Sequence, residues 1–148
     1  MKIRISLLFL TSLMILSVEA KAQQFQEFGE YAVHYNALTS NLIPAQVAQA
    51  YGIKRSTSRA LINITILKKI KDAPDTPVNA RVTSSGTNLI GQRREIEMRE
   101  IQEAEGAIYY IGELPVHNLE TYNFTVEIQV KNETKIFVLQ FMQQFYTE

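Results

Sequence analysis

The chain has 148 residues, 15 basic and 15 acidic side chains, 46% apolar residues and no cysteine. A balanced charge leaves no broad electrostatic footprint for nucleic acid or anionic lipid. The lack of cysteine excludes disulfides, thiolate metal sites and cysteine-based catalysis, so the core alone must hold the fold.

Met1-Lys2-Ile3-Arg4 is basic, residues 5–18 form a short apolar run, and Ala20-Lys21-Ala22 offers an A-x-A cleavage pattern. Residues 1–22 are read as a secretory signal peptide cut after Ala22. The run is interrupted by Thr11 and Ser12 and falls short of the roughly 20 apolar residues of a membrane span. No cysteine follows the cut, so a soluble exported protein without stable membrane insertion is expected, not a lipoprotein. Residues 23–148 then form one domain with enough chain to bury a core. Three basic residues and one acidic residue fall in the leader, leaving a formal charge near −2 on the rest.

Residues 23–27 read as a polar lead-in. In residues 28–37, Tyr31, Val33 and Tyr35 alternate with Glu30, His34 and Asn36, as in a strand with one buried and one wet face, which turns His34 outward. The connector over residues 39–58 places Pro44 before Ala45-Gln46-Val47-Ala48-Gln49-Ala50-Tyr51 and Gly52 after it, a short helix with proline in its first turn and glycine past its end. Leu61-Ile62-Asn63-Ile64-Thr65-Ile66-Leu67 is apolar on both faces, the pattern of a strand in the middle of a packed sheet.

Pro74 and Pro77 mark a turn. Val78, Ala80 and Val82 make a half-buried strand, and Ser84-Ser85-Gly86-Thr87-Asn88 reads as a loop. Residues 93–105 contain good helix formers, but Ile96 and Met98 alternate with Glu95, Glu97 and Arg99, so a strand is preferred. Residues 107–114 form a buried strand stopped by Pro115. Residues 122–130 alternate without a fault, and Lys131-Asn132-Glu133-Thr134 is a hairpin turn in which Asn132 suits positive φ. Residues 135–146 close that hairpin with Phe137, Leu139, Phe141 and Phe145 on one face. About seven short strands predict a mostly β protein: an antiparallel immunoglobulin-like β-sandwich with one short helix in the first crossover. The immunoglobulin Cys…Trp…Cys pattern is absent, so only the architecture is expected, with a small closed barrel as the alternative.

No nucleophile elbow, phosphate-binding glycine loop, dinucleotide fingerprint or H-E-x-x-H helix occurs, and no cofactor is expected. His34 and His117 are the only histidines, and a metal site would need both to converge with carboxylates. No metal is expected. Glu95 with Glu97, or Glu103 with Glu105, would share a strand face, but neighbouring acids on an exposed face are more often solvated surface than an acid and base with separated pKa values. Past the helix, Arg55, Ser56, Thr57, Ser58 and Arg59 bring planar guanidinium forks and hydroxyls together, a combination suited to a carboxylate, phosphate or acidic peptide. The alternative is a solvated loop whose arginines cover the helix stem or pair with Glu27 and Glu30. Candidate binding residues are Arg55, Arg59, His34 and Asn36. Tyr31, Tyr35, Tyr109 and Tyr110 are candidates for a ligand groove, although strand aromatics are more often core with hydroxyls at a rim.

Phe28-Gly29-Glu30-Tyr31 with Val33-His34-Tyr35-Asn36-Ala37, then Pro44, Val47-Ala48, Tyr51-Gly52-Ile53 and Arg55-Ser56, carry a family pattern. Asn88-Leu89, Gly91-Gln92, Ile108-Tyr109-Tyr110-Ile111 and Gln143-Gln144-Phe145-Tyr146 extend it. Together they resemble a domain-of-unknown-function family of short secreted gammaproteobacterial proteins. The resemblance implies a periplasmic location and a sandwich-like fold, and it brings no activity or catalytic residue. The expected role is a non-enzymatic periplasmic binding or protein-interaction module for an unknown envelope protein or small ligand, without nucleic acid. Two alternatives stand beside it. A metal-independent hydrolase would need a deep polar cleft with two convergent carboxylates or a Ser–His contact. An envelope chaperone or accessory subunit would offer a long unprotected strand edge to a partner.

Overall fold

A computed structural model describes residues 24–148; the signal peptide expected over residues 1–22 lies outside the described residues. In chain order the elements are β1 (Phe25–Phe28), β2 (Tyr31–Thr39), a 3-10 turn (Ser40–Leu42), α1 (Ala45–Ala50), β3 (Arg59–Lys68), β4 (Thr76–Pro77), β5 (Ala80–Asn88), β6 (Arg93–Ile96), β7 (Met98–Gln102), β8 (Ile108–Pro115), β9 (Thr121–Val130) and β10 (Ile136–Gln144).

The strands form two antiparallel sheets. The first runs β1-β2-β3-β8-β7, with β4 beside the end of β3; the second runs β10-β9-β5-β6. Their inner faces supply the core: Val33, Ile62, Ile64 and Ile66 from the first meet Phe124, Val126, Ile128 and Leu139 from the second. Aromatic rings join the layers, with Tyr35 and Phe141 4.7 Å apart and Phe28 and Phe137 5.2 Å apart. The chain crosses between sheets at Glu97, since β6 pairs with β5 and β7 pairs with β8. This is the mostly β, antiparallel sandwich expected, with both sheets open and a helix in the first crossover.

β3 has both faces covered, which accounts for its unbroken apolar run. Ile62, Ile64 and Ile66 face the second sheet. On the opposite face Leu61 joins Ile111, Ala48 and Ile53 in a smaller cluster, where the connector folds back over its own sheet.

Three local readings change. Residues 23–27 were expected to be a lead-in, but Phe25 to Phe28 pair with β2 in the register Phe25↔His34 to Phe28↔Tyr31. Stacking of Phe25 on His34, with ring centroids 5.4 Å apart, gives that pairing an apolar contact. Residues 84–88 are not a loop; they continue β5 along β9. Their small side chains serve packing, because a Cβ on Gly86 would lie 3.0 Å from Phe124 Cε1 and 3.1 Å from Tyr122 Cδ1. Residues 93–102 are extended as preferred, but divided at the crossing into β6 and β7, whereas residues 103–106 turn towards β8 instead of extending the strand. With β4, these changes raise the strand number among the described residues to ten.

Candidate functional site

The connector is shaped by residues that act locally. Pro44 precedes α1, and Ala48 N–H bonds to its carbonyl at 2.9 Å. At the other end Gly52 adopts φ +64, while Gly52 N–H donates to Gln49 O at 3.4 Å and Ile53 N–H donates to Ala48 O at 2.8 Å. This is a Schellman ending, and its usual apolar contact is made by Ala48 and Ile53 in the small cluster. Ser40, fully buried, ties the two ends of the connector together: its Oγ donates to Lys54 O at 2.7 Å and accepts from Ser56 N–H at 3.0 Å.

Between the connector and the outer face of the first sheet lies a groove of about 230 Å³. Ile43, Val47, Tyr51 and Ile53 form one wall; Leu61, Asn63, Ile101, Tyr109 and Ile111 form the sheet side, with Glu103 at the end of β7. Two polar features interrupt this apolar lining. Tyr51 Oη donates to Glu103, and that hydrogen bond, with burial and the carboxylate charge, raises the tyrosine pKa above its ordinary value. Asn63 Oδ1 is buried without a hydrogen-bond partner among the described residues. An unpaired buried acceptor carries a desolvation cost that an incoming donor would relieve.

His34, Asn36 and Arg59 share this outer face, whereas Arg55 lies on the connector. Asn36 is exposed and stands opposite Asn63 in the β2–β3 register. His34 is the residue stacked on Phe25. Arg59 Nη2 lies 3.3 Å from Glu113 Oε2, and Arg99 Nη2 lies 3.6 Å from Glu113 Oε1. Arg99 Nη1 also donates to Tyr51 O at 2.9 Å, tying this ion cluster to the groove wall. Arg55 Nη2 donates to Asn41 O at 2.9 Å within the connector. The pairing of these arginines with Glu27 and Glu30 is not found: Glu27 meets Lys69 at 3.2 Å and Glu30 meets Lys68 at 3.4 Å. The register makes the reason plain, because β1 and the start of β2 lie beside the end of β3, the opposite end of that strand from Arg59.

Two broader depressions, about 580 and 460 Å³, share Asn79 and residues 130–133 at one end of the sandwich. Their carboxylates are engaged. Glu100 accepts from Tyr110 Oη at 2.8 Å, Gln102 Nε2 at 2.5 Å and Asn79 Nδ2 at 3.2 Å. The bonds from Gln102 and Tyr110 lower its pKa, the opposite direction from the raised carboxyl that an acid catalyst needs. Glu133 accepts from Tyr31 Oη. Of the acid pairs considered from sequence, Glu95 is joined to Arg93 at 2.8 Å, Glu97 sits at the crossing between sheets, and Glu103 closes a turn with Gly106 and Ala107.

Tyr31 and Tyr110 are core residues with their hydroxyls at these carboxylates, while Tyr109 lines the groove. Sequence reasoning missed Asn63, Tyr51 and Glu103 as neighbours. The available signal was one polar residue, Asn63, within a run apolar on both faces, opposite a helix that needed a surface to cover.

The sequence profile of the DUF4426 family, described as a domain of unknown function, matches residues 25–148. A crystal structure of a DUF4426 family protein from Pseudomonas aeruginosa PAO1, a gammaproteobacterium, is similar at 35% sequence identity with a TM-score of 0.71, over 83% of this chain and 94% of that one. A family 123 glycoside hydrolase from Clostridium perfringens aligns at 9% identity with a TM-score of 0.42, over 76% of this chain and 27% of that one. No curated protein matches the sequence.

Proposed function

The chain belongs to the DUF4426 family, and we propose that it is a non-enzymatic binding module of the periplasm that takes a small, mostly apolar ligand bearing one hydrogen-bond donor. The observation that carries this reading is the groove under the connector: apolar walls from two elements around Asn63 Oδ1, a buried acceptor with no partner among the described residues. Its volume of about 230 Å³ lies below the roughly 300–1,000 Å³ of sites for drug-sized molecules, so the ligand is small or inserts only one end. Asn36 and the Arg59–Arg99–Glu113 cluster border the same face and would meet whatever part of the ligand projects outward.

Export is part of the same proposal, supported by the basic start, the apolar run and the Ala20-Lys21-Ala22 pattern. Intact mass spectrometry of the envelope protein should find a chain beginning at Gln23; retention of Met1 in that fraction would contradict it.

Binding is tested by titrating the ¹⁵N-labelled protein with indole, a small apolar probe with one N–H donor. Amide shifts should concentrate on the connector and β3, and be lost in Val47→Trp, which fills the groove from a half-open wall position. Asn63→Leu should weaken binding about tenfold while keeping the same shifted residues, because a hydrogen bond lost to a buried group costs about 1–3 kcal/mol. Shifts scattered over the surface, or unchanged by Val47→Trp, would sink the assignment.

A further inference from the structure

Every strand at the margin of an open sheet leaves half its backbone groups without a ladder partner, so the margins among the described residues can be compared directly, β4 being only two residues and including Pro77. β1 has four residues and includes Glu27; β6 also has four and includes Arg93, Arg94 and Glu95; β7 carries Arg99 and Glu100. β10 differs: nine residues, Ile136-Phe137-Val138-Leu139-Gln140-Phe141-Met142-Gln143-Gln144, with no charge and no proline.

The outward groups of β10 can be assigned. Phe145 N–H donates to Glu120 O at 2.9 Å, and Lys131 N–H donates to Asn79 O at 2.9 Å. The β10–β9 register sets odd-numbered β10 residues against even-numbered β9 residues. Antiparallel ladders alternate hydrogen-bonded and non-bonded pairs, so odd residues of β10 bond to β9. Ile136, Val138, Gln140, Met142 and Gln144 therefore turn their N–H and C=O groups away from the sheet. The side chains of Ile136, Val138 and Met142 are exposed as well.

We propose that β10 is the dimerisation edge of this protein and that its occupant is β10 of a second copy, paired antiparallel about a two-fold axis at Gln140. In that register Gln140 faces its own symmetry mate, Val138 faces Met142 and Ile136 faces Gln144, so each outward-directed residue meets another in a hydrogen-bonded pair. A glutamine amide is complementary to itself, offering both donor and acceptor. The neutral strand brings no like charges together, and the antiparallel arrangement carries Lys135 of each copy towards the Glu148 end of the other. The contact is isologous and closes on itself, and it would join two four-stranded sheets into one of eight. A single strand edge is smaller than the roughly 1,200–2,000 Å² of a standard stable interface, so the dimer dissociates in about the micromolar range. This edge belongs to the sheet away from the connector groove, and the inference does not depend on ligand binding there.

Sedimentation equilibrium of the purified protein over about 1–500 µM brackets that range and should show a monomer–dimer equilibrium. Gln140→Lys and Gln140→Glu each place like charges across the axis and should weaken self-association at least about tenfold. An equimolar mixture of the two should recover dimer. Val138→Pro removes an outward N–H that makes no bond within its own sheet, so it should abolish the dimer while leaving the thermal midpoint close to wild type. A wild-type protein that stays monomeric throughout overturns the proposal and leaves the edge to a strand of another protein. Self-association indifferent to both Gln140 variants overturns it too, placing the contact elsewhere.

Discussion

Two tyrosines occupy the same kind of environment at one end of the sandwich: ring in the core, hydroxyl on a carboxylate. The hydrogen bond from Tyr31 to Glu133, aided by burial and the glutamate charge, lifts its pKa to about 12. Burial first, with the Glu100 contact adding to it, brings Tyr110 to about 12, although its Oη also accepts Ala80 N–H at 2.7 Å, which pulls the other way. In the unfolded chain both titrate near pH 10. The folded state thus holds these protons more tightly, so their contribution to stability is complete below about pH 10 and declines as pH rises towards 12. Denaturant midpoints measured across this window should fall, and Tyr31→Phe should flatten part of the decline. Ultraviolet titration should resolve four of the seven tyrosines ionising late, Tyr31 and Tyr110 at about 12 and Tyr51 and Tyr122 also above the ordinary value. Titration of all seven together near pH 10 would contradict the proposed environments.

At the scale of an element, β5 shows how one residue sets the spacing of a sheet. Gly86 lies against the rings of Phe124 and Tyr122, where an added Cβ would be tighter than ordinary contact. Gly86→Val should destabilise by about 1–3 kcal/mol through overpacking, read from urea unfolding at constant slope; an unchanged midpoint would mean the rings shift freely. The same position explains where the sequence was legible. Period-2 alternation located β2, β9 and β10 because each has one core face and one wet face, and doubled apolarity located β3 because it is covered twice. Ser84 to Asn88 were misread because small and polar residues serve both turns and tightly packed strands, and only the aromatic partners across β9 decide between them. The groove was partly legible for a related reason. Its helix, with Pro44 and Gly52 at the ends, was visible, and so were His34 and Asn36 as polar residues on a strand and Arg59 in the segment past the helix. Which surface the helix covers is a long-range fact: Leu61 lies beside Glu113, and Asn63 beside Ile111, across the β3–β8 ladder.

Across the whole molecule the two apolar clusters are unequal, and that inequality orders its motions. The main core spans both sheets, whereas the small cluster has four buried residues, Ala48, Ile53, Leu61 and Ile111, and is closed by a helix of six. A helix this short has little stability of its own and depends on docking. Elements with few buried contacts open at lower free energy than the global transition. The connector should therefore lift from the first sheet while the sandwich stays intact, and Ser40, which joins its two ends, should govern how often. Ser40→Ala leaves Ser56 N–H without its acceptor and should cost about 1–3 kcal/mol, felt mainly by the connector. Native-state hydrogen exchange can separate the two levels. Ala48, Tyr51 and Ile53 amides, bonded to Pro44, Val47 and Ala48 carbonyls, should exchange through a sub-global opening that Ser40→Ala makes easier, while β9 amides continue to report global unfolding. A groove occupant should restore protection to those three amides in the wild type. Exchange of connector and β9 amides with one common free energy would instead show a single cooperative unit, and a ligand would then have to enter a groove that does not open.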